Sequence, residues 1–250
     1  MSKFVILTLF PEMFKSFTET SMIKRLIEKD QLNIELVDIR DFSKSKHNKV
    51  DDTPYGGGSG MVMMCEPLDG ALNYAISNIN DSSYKIIYLS PRGRLLNYNV
   101  AKEYSTVSDN YILVCGHYEG IDERIIEKYS IEEVSIGDYV LTGGELPAMV
   151  FVDSVIRLKP NVLSEGSLDE ESHTNLLLEY PQYTKPSVYE KMTVPDVLIS
   201  GDHKKIHEYR KNQSVLITNR NRPDLLKKAI DSQLITKLEV DKIIEEKGGK

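Results

Sequence analysis

The chain has 250 residues, of which 40% are hydrophobic and 28% charged, and its formal net charge is -7. That length allows one large or two small domains, and the acidic balance argues against a protein that coats nucleic acid over its whole surface, while leaving room for a local basic face. The two cysteines, Cys65 and Cys115, lack framework spacing and point to free thiols in a reducing compartment.

Phe4 to Leu9 is a continuous apolar run, the pattern of a strand buried on both faces of a parallel sheet. With only Met1-Ser2-Lys3 before it, the run is too short for a signal-peptide core. No other stretch approaches the ~20 apolar residues of a membrane helix, so a cytoplasmic protein without a membrane partner is expected. Pro11 suits a first helical turn, and Met13, Phe17, Met22 and Leu26 continue at helical spacing to about Glu28. Strands are then predicted at Ile34 to Ile39, Lys85 to Leu89, Tyr111 to Cys115 and Glu133 to Ile136. Helices are predicted at Leu68 to Ile79, Asn97 to Tyr104, Ile121 to Tyr129 and Pro147 to Leu158. This alternation predicts an α/β domain with a mainly parallel sheet over residues 1–160.

From Asn161 to about Asn175 the chain is polar and unperiodic and reads as a linker. Residues 176–250 carry helical signals only, near Ser187 to Glu190, Lys204 to Val215, Pro223 to Ile230 and Val240 to Lys247, and read as a small all-helical domain. Its segment from Lys204 to Lys228 is locally basic, with Lys204, Lys205, Arg210 and Arg220 among eight cations against Glu208 and Asp224. A charge run is commonly a solvated face; against an acidic background it is also a candidate for phosphate contacts. His203 and His207 stand four apart on a predicted helix, but no third ligand is evident and no metal site is assigned.

Three predicted strands end in "YLSPRG" (Tyr88 to Gly93), "CGHYEG" (Cys115 to Gly120) and "SIGDYVLTGGE" (Ser135 to Glu145). Ligands of open parallel sheets gather at the carboxyl ends of the strands. Each loop alone reads equally well as a packing turn; three at matching ends favour one pocket. They contain no lysine and match neither a phosphate-cradling P-loop nor G-x-G-x-x-G, which argues against a triphosphate and for a compact neutral-to-cationic ligand.

These loops, with "LTLFPEMF", "VDDTPYGGGSGM", "EYPQYTKP" and "VPDVLISGDHKKI", resemble the bacterial tRNA (guanosine(37)-N1)-methyltransferase family of the SPOUT class, in the same order from residue 4 to about residue 222. The resemblance implies a parallel α/β fold with a deep C-terminal trefoil knot, a topology that ordinary chain-path rules would exclude. It implies S-adenosyl-L-methionine bound in the knot loops, tRNA as substrate, a linker carrying the base and a helical C-terminal domain over residues 176–250 that together complete the tRNA site, and a homodimer with the site between subunits. It allows for Mg2+, whose ligands the sequence does not identify.

Carried onto this chain, the cofactor residues are Tyr88, Leu89, Ser90 and Pro91; Gly116, Tyr118, Glu119 and Gly120; and Ile136, Gly137, Tyr139, Val140, Leu141, Gly143, Gly144 and Pro147. Methylation of guanine N1 requires a base for the N1 proton and a donor or cation for charge developing on O6. Arg157 in "DSVIRLKP" matches the family's arginine; a helix-surface pairing with Asp153 is the structural alternative. The family's linker carries Glu-Asp-Ser-Phe. Here "DEESHTNLLLEYP" has Glu171 at the aspartate position, in a linker one residue shorter, and Asp169 is the second candidate base. Asp51, Asp52, Tyr55, Gly57 and Gly58 resemble the family's contact with the target guanine, with Thr53 and Ser59 replacing the usual Arg and Pro. Another SPOUT-class target, or a catalytically weak tRNA-binding homologue, are the alternative readings.

Overall fold

A computed structural model describes residues 1–79, 83–164 and 171–247. The chain forms two compact units, Met1–Val162 and Leu163–Lys250. The first unit is built on five strands: β1 (Ser2–Thr8), β2 (Leu32–Asp38), β3 (Lys85–Leu95), β4 (Asn110–Cys115) and β5 (Glu132–Ser135). They run parallel in the order β2-β1-β4-β3-β5. Among the described residues no helix is long and apolar enough to cross a membrane.

Parallel strands need long crossovers, and helices supply them. In this unit they are α1 (Ser21–Glu28), α2 (Cys65–Ser77), α3 (Tyr98–Val107), α4 (Glu123–Tyr129) and α5 (Glu145–Ile156). Side chains alternate across a strand, so β1 sends Val5 and Leu7 to one face and Phe4 and Ile6 to the other. The first face packs on Leu68, Ala71 and Leu72 of α2 and Ile125 of α4. The second packs on Val100 and Tyr104 of α3 and on Phe151, Val152 and Val155 of α5. Both faces being covered is why the strands read as continuous apolar runs.

Three local expectations are corrected. The continuous helix from Pro11 to Glu28 is instead a 3-10 turn, Pro11–Phe14, a single turn, Lys15–Thr18, and α1. Thr20 is extended and Ser21 has φ 51°, so the chain bends there. The third strand does not end at Leu89: Ser90 to Gly93 loops out, after which Arg94 and Leu95 rejoin Val134 and Ser135 of β5. Glycine is required at 93 because a Cβ would lie 2.6 Å from Glu133 O, against the neighbouring backbone. In the second unit, the helix expected near Ser187 to Glu190 is a two-stranded hairpin pairing Val188–Tyr189 with Met192–Thr193. Its β-branched and aromatic residues favour extended pairing, and Glu190 adopts φ 54° at the turn.

After an irregular segment from Glu171 to Ser187, the described part of the second unit also contains four helices: α6 (Asp196–Ile199), α7 (His203–Asn221), α8 (Pro223–Asp231) and α9 (Lys237–Lys247). Val215, Leu226, Ala229, Ile235, Val240 and Ile243 form its core, joined by Leu176 and Leu177. Asp202 caps α7 by accepting from Lys205 N. Thr236 and Glu239 form a reciprocal capping box at the start of α9, Glu239 accepting from Thr236 N at 2.9 Å and Thr236 Oγ1 from Glu239 N at 3.2 Å.

Candidate active site

The three loops at the carboxyl ends of β3, β4 and β5 close around a cavity of about 200 Å³. All sixteen residues carried over for cofactor binding line it: Tyr88, Leu89, Ser90 and Pro91 from β3; Gly116, Tyr118, Glu119 and Gly120 after β4; Ile136, Gly137, Tyr139, Val140, Leu141, Gly143, Gly144 and Pro147 between β5 and α5. Sequence reasoning passed over His117, Val134, Ser135 and Thr142, which also line it. For three of them the signal was adjacency to chosen positions. His117 is distinguished only by a partner 28 residues away.

Backbone contact between the loops explains two glycines. Gly144 N donates to Gly116 O at 2.9 Å. A Cβ at Gly144 would lie 2.6 Å from Cys115 Cα and 2.9 Å from Gly116 N, where nothing can yield. A Cβ at Gly143 would fall on the His117 ring and 2.6 Å from Glu145 Oε2. Behind the cavity, the Glu145 carboxylate is 1% exposed, a costly placement unless its oxygens are bonded. Thr8 Oγ1 donates to it at 2.7 Å, and His117 Nε2 lies 2.8 Å from its other oxygen. Strand β1, the loop after β4 and the start of α5 are thereby tied at one point. Cys115, wholly buried beside this carboxylate, has its thiol pushed well up, first by burial and then by Glu145.

The cavity walls offer backbone N–H and C=O groups, aromatic rings and the Glu119 carboxylate, with no Lys or Arg among them. Such a lining accepts a planar ring and a positive centre rather than a polyanion. Burial raises the Tyr88 phenol, so it stays protonated.

A hairpin docks on the same loops. Asp51–Asp52 pairs with Val62–Met63, Glu119 N donates to Met61 O at 3.0 Å, and Met63 N donates to Gly120 O at 2.9 Å. Asp51 reaches Tyr118, whose phenol is raised by burial and by that carboxylate. Asp52 is held below the usual carboxylate range by Lys49, 3.0 Å away. At the hairpin tip Gly56, Gly57, Gly58 and Gly60 have φ of +87°, +79°, +124° and +97°. A Cβ at the first three would touch nothing, so glycine serves the backbone conformation there. Tyr55 beside them is fully exposed.

Arg157 follows α5 as its C-terminal cap, half-buried, with its N–H donating to Asp153 O at 3.2 Å. The helix begins at the cavity and spans ~18 Å at 1.5 Å per residue. Beyond it, Lys159 Nζ bonds Ser108 O at 2.9 Å, next to the start of β4, so Arg157 lies at the opposite end of the sheet from the cavity. In the second unit, Glu171 lines a separate cavity of about 390 Å³ with His207, Arg210 and Lys211. The segment carrying it is anchored: Glu179 N donates to Ser172 Oγ at 3.0 Å and Leu178 N to the buried Thr218 Oγ1 at 2.8 Å. Asp169 lies outside the described residues. Lys204 and Arg220 stand exposed on α7, Lys205 pairs with Asp202 at 3.2 Å, and Arg210 stacks over Tyr180 at 4.7 Å.

Residues 2–228 match the family described as tRNA (Guanine-1)-methyltransferase TrmD. A tRNA (guanine-N(1)-)-methyltransferase of Ruminiclostridium cellulolyticum is 54% identical over 234 residues, covering 93% of this chain and 100% of that protein. Those of Clostridioides difficile and Chloroflexus aggregans are 50% and 47% identical, covering 91% and 97% of this chain and 98% and 94% of theirs. Similarity that spans both units, on a parallel α/β sheet whose three carboxyl-end loops close on one cavity, establishes that the chain belongs to the SPOUT tRNA (guanine-N1)-methyltransferase family.

Proposed function

We propose that the protein methylates N1 of guanosine 37 in the anticodon loop of tRNA, with S-adenosyl-L-methionine as donor. The observation that carries this reading is the meeting of two features. A glycine-cradled cavity free of Lys and Arg fits the donor's adenine ring and its cationic sulfonium and ammonium groups. The Asp51 hairpin with its exposed Tyr55 docks on the same loops and offers carboxylates and a ring to a guanine. The knotted chain path follows from the family resemblance.

When bound, the donor supplies an electrophilic methyl group. The chain's own residues must hold guanine N1 toward it and manage one proton. Glu171 takes the N1 proton, and Arg157 faces the charge that grows on O6. The cavity and Arg157 lie at opposite ends of α5, too far apart for one side chain to bridge. A homodimer, in which Arg157 of one chain serves the cavity of another, removes the difficulty. Among the described residues no group of three or more His, Cys, Asp or Glu could hold a metal ion.

The test is methyl transfer from labelled donor to two tRNA transcripts, one with guanosine and one with adenosine at position 37, both with guanosine at position 36. Label on the first alone, at base N1, is expected. Equal label on both would move the target elsewhere in the RNA. No label, with the donor bound, would mean that Glu171 in the aspartate's position has left a tRNA binder.

A further inference from the structure

Just beyond α5, Lys159 turns back into the fold with its side chain 9% exposed. A lysine is almost never buried to that degree unless its ammonium is paired. Here Nζ donates to Ser108 O at 2.9 Å and to the Asp109 carboxylate at 2.6 Å, in the turn that leads into β4. Asp109 is in turn tied to the start of β1: its carbonyl accepts from Lys3 N at 2.8 Å and its carboxylate from Ser2 Oγ at 3.4 Å. The end of α5 is thereby clasped to the amino ends of two neighbouring strands. Because Ser108 contributes its carbonyl, the clasp registers the turn against main chain as well as against a side chain.

Arg157 lies inside this clasp. Before it, the last turn of α5 holds its N–H on Asp153 O. After it, Leu158 N donates to Val155 O at 3.3 Å and Lys159 N to Ile156 O at 3.1 Å, the tighter three-residue spacing with which helices often end. Val162 then packs against the core that contains Phe151 and Val155. A final helical turn frays unless something beyond it holds it. The Lys159 ammonium supplies that hold, through a carboxylate 50 residues away in sequence.

We propose that Lys159 is a positioning residue for the methyl transfer: by clasping the end of α5 to the amino end of β4, it fixes the turn from which Arg157 acts on the developing charge. The inference rests on the role proposed above for Arg157 and adds a residue that touches neither donor nor guanine. A misplacement of ~1 Å at a reacting group can cost on the order of 100-fold in rate, so the clasp acts on kcat. The cavity lies at the other end of α5, and donor binding does not depend on the clasp.

The experiment measures kcat for tRNA methylation and the Kd for S-adenosylmethionine in wild type, Lys159→Met, Lys159→Arg, Asp109→Ala and Arg157→Ala, and in Arg157→Ala combined with Lys159→Met or Asp109→Ala. Lys159→Met keeps the apolar stem and loses the ammonium; kcat is expected to fall on the order of 10-fold, within the cost of a small misplacement, with the donor's Kd unchanged. Lys159→Arg retains a cationic donor and should recover most of the rate. If Lys159 acts through Arg157, adding Lys159→Met to Arg157→Ala lowers kcat no further. A wild-type kcat in Lys159→Met, or a loss that multiplies in full onto that of Arg157→Ala, would overturn the positioning role and leave the proposed function standing. A wild-type kcat in Arg157→Ala would remove the role given to Arg157 and this inference with it. Should Lys159→Met not fold, Asp109→Ala decides instead, since that side chain is 64% exposed. A smaller fall in kcat that disappears in the Arg157→Ala background is expected, and an unchanged kcat would overturn the inference.

Discussion

His117 Nε2 lies 2.8 Å from Glu145 Oε2, joining the loop after β4 to the first residue of α5. Thr8 occupies the other carboxylate oxygen from β1. The cluster sits behind the cavity and holds two of its three loops in register. Glu145→Leu leaves the Thr8 hydroxyl and the imidazole without their acceptor, and a buried group stripped of its partner costs ~1–3 kcal/mol. The expected result is a lower unfolding midpoint in denaturant together with weaker donor binding. Glu145→Gln retains an acceptor for Thr8 and should lose less of both. Equal losses in the two variants would contradict a hydrogen-bonding role.

Gly144 and Val140 make a sharper comparison. Alanine at 144 drives a Cβ into the backbone of Cys115 and Gly116, whereas Val140 is 82% exposed. Gly144→Ala should abolish measurable donor binding by calorimetry or sharply weaken it. Val140→Ala should change it by no more than a factor of about 2, within the ±0.5 kcal/mol usual for exposed positions.

If Glu171 is the base, Glu171→Gln lowers kcat by ~10²–10⁴ with the donor's Kd unchanged. Arg157→Ala should lower kcat by a comparable factor. Mixing Arg157→Ala chains with Glu171→Gln chains then tests whether complementary sites form between subunits. Recovered activity in the mixed dimer, with each parent inactive, is the outcome where Glu171 serves its own chain's cavity and Arg157 that of the other chain. No recovery, with heterodimer present by native mass spectrometry, would place both groups in the service of the same chain's cavity.

The two thiols should differ in reactivity. Cys115 is fully buried and its thiol is raised well above the usual range, so it should resist alkylation until the protein unfolds. Cys65 is half-buried and raised by burial and by Asp122, and should react slowly in the native protein. Peptide mapping after iodoacetamide treatment, with and without denaturant, separates them.

Acid should loosen the second unit. Glu239 is held at about 2 by the Thr236 N–H and hydroxyl and by Lys211. A depressed carboxylate contributes stability that is present above its unfolded value and is lost as pH falls through the folded one. Stability should therefore decline from about pH 4 toward pH 2, and Glu239→Gln should flatten that decline, as read by thermal unfolding followed by circular dichroism.

The apolar runs of β1 and β4, the glycine and proline breaks after them and the helical spacing of α2 to α5 depend on local chemistry and period, so they could be read along the chain. The three loops could be placed at one sheet end for the same reason: parallel strands share a direction. The SPRG excursion could be seen but not its return, because Arg94 and Leu95 find their partners on β5 and only the sheet order reveals them. The hairpin at Val188 was hidden because four residues are too few for a period, and pairing rather than propensity makes them strands. His117 was passed over for a related reason: nothing near it in sequence distinguishes it, and its partner Glu145 is brought to it only when α5 packs on the sheet. The position of Arg157 at the far end of α5 likewise belongs to the fold. By itself the sequence determined the alternation of strands and helices in the first unit, their order, and which family the motifs resemble, since these follow from local pattern. The tertiary structure alone decided which side chains meet across long separations, because those contacts exist only when distant segments bury one another.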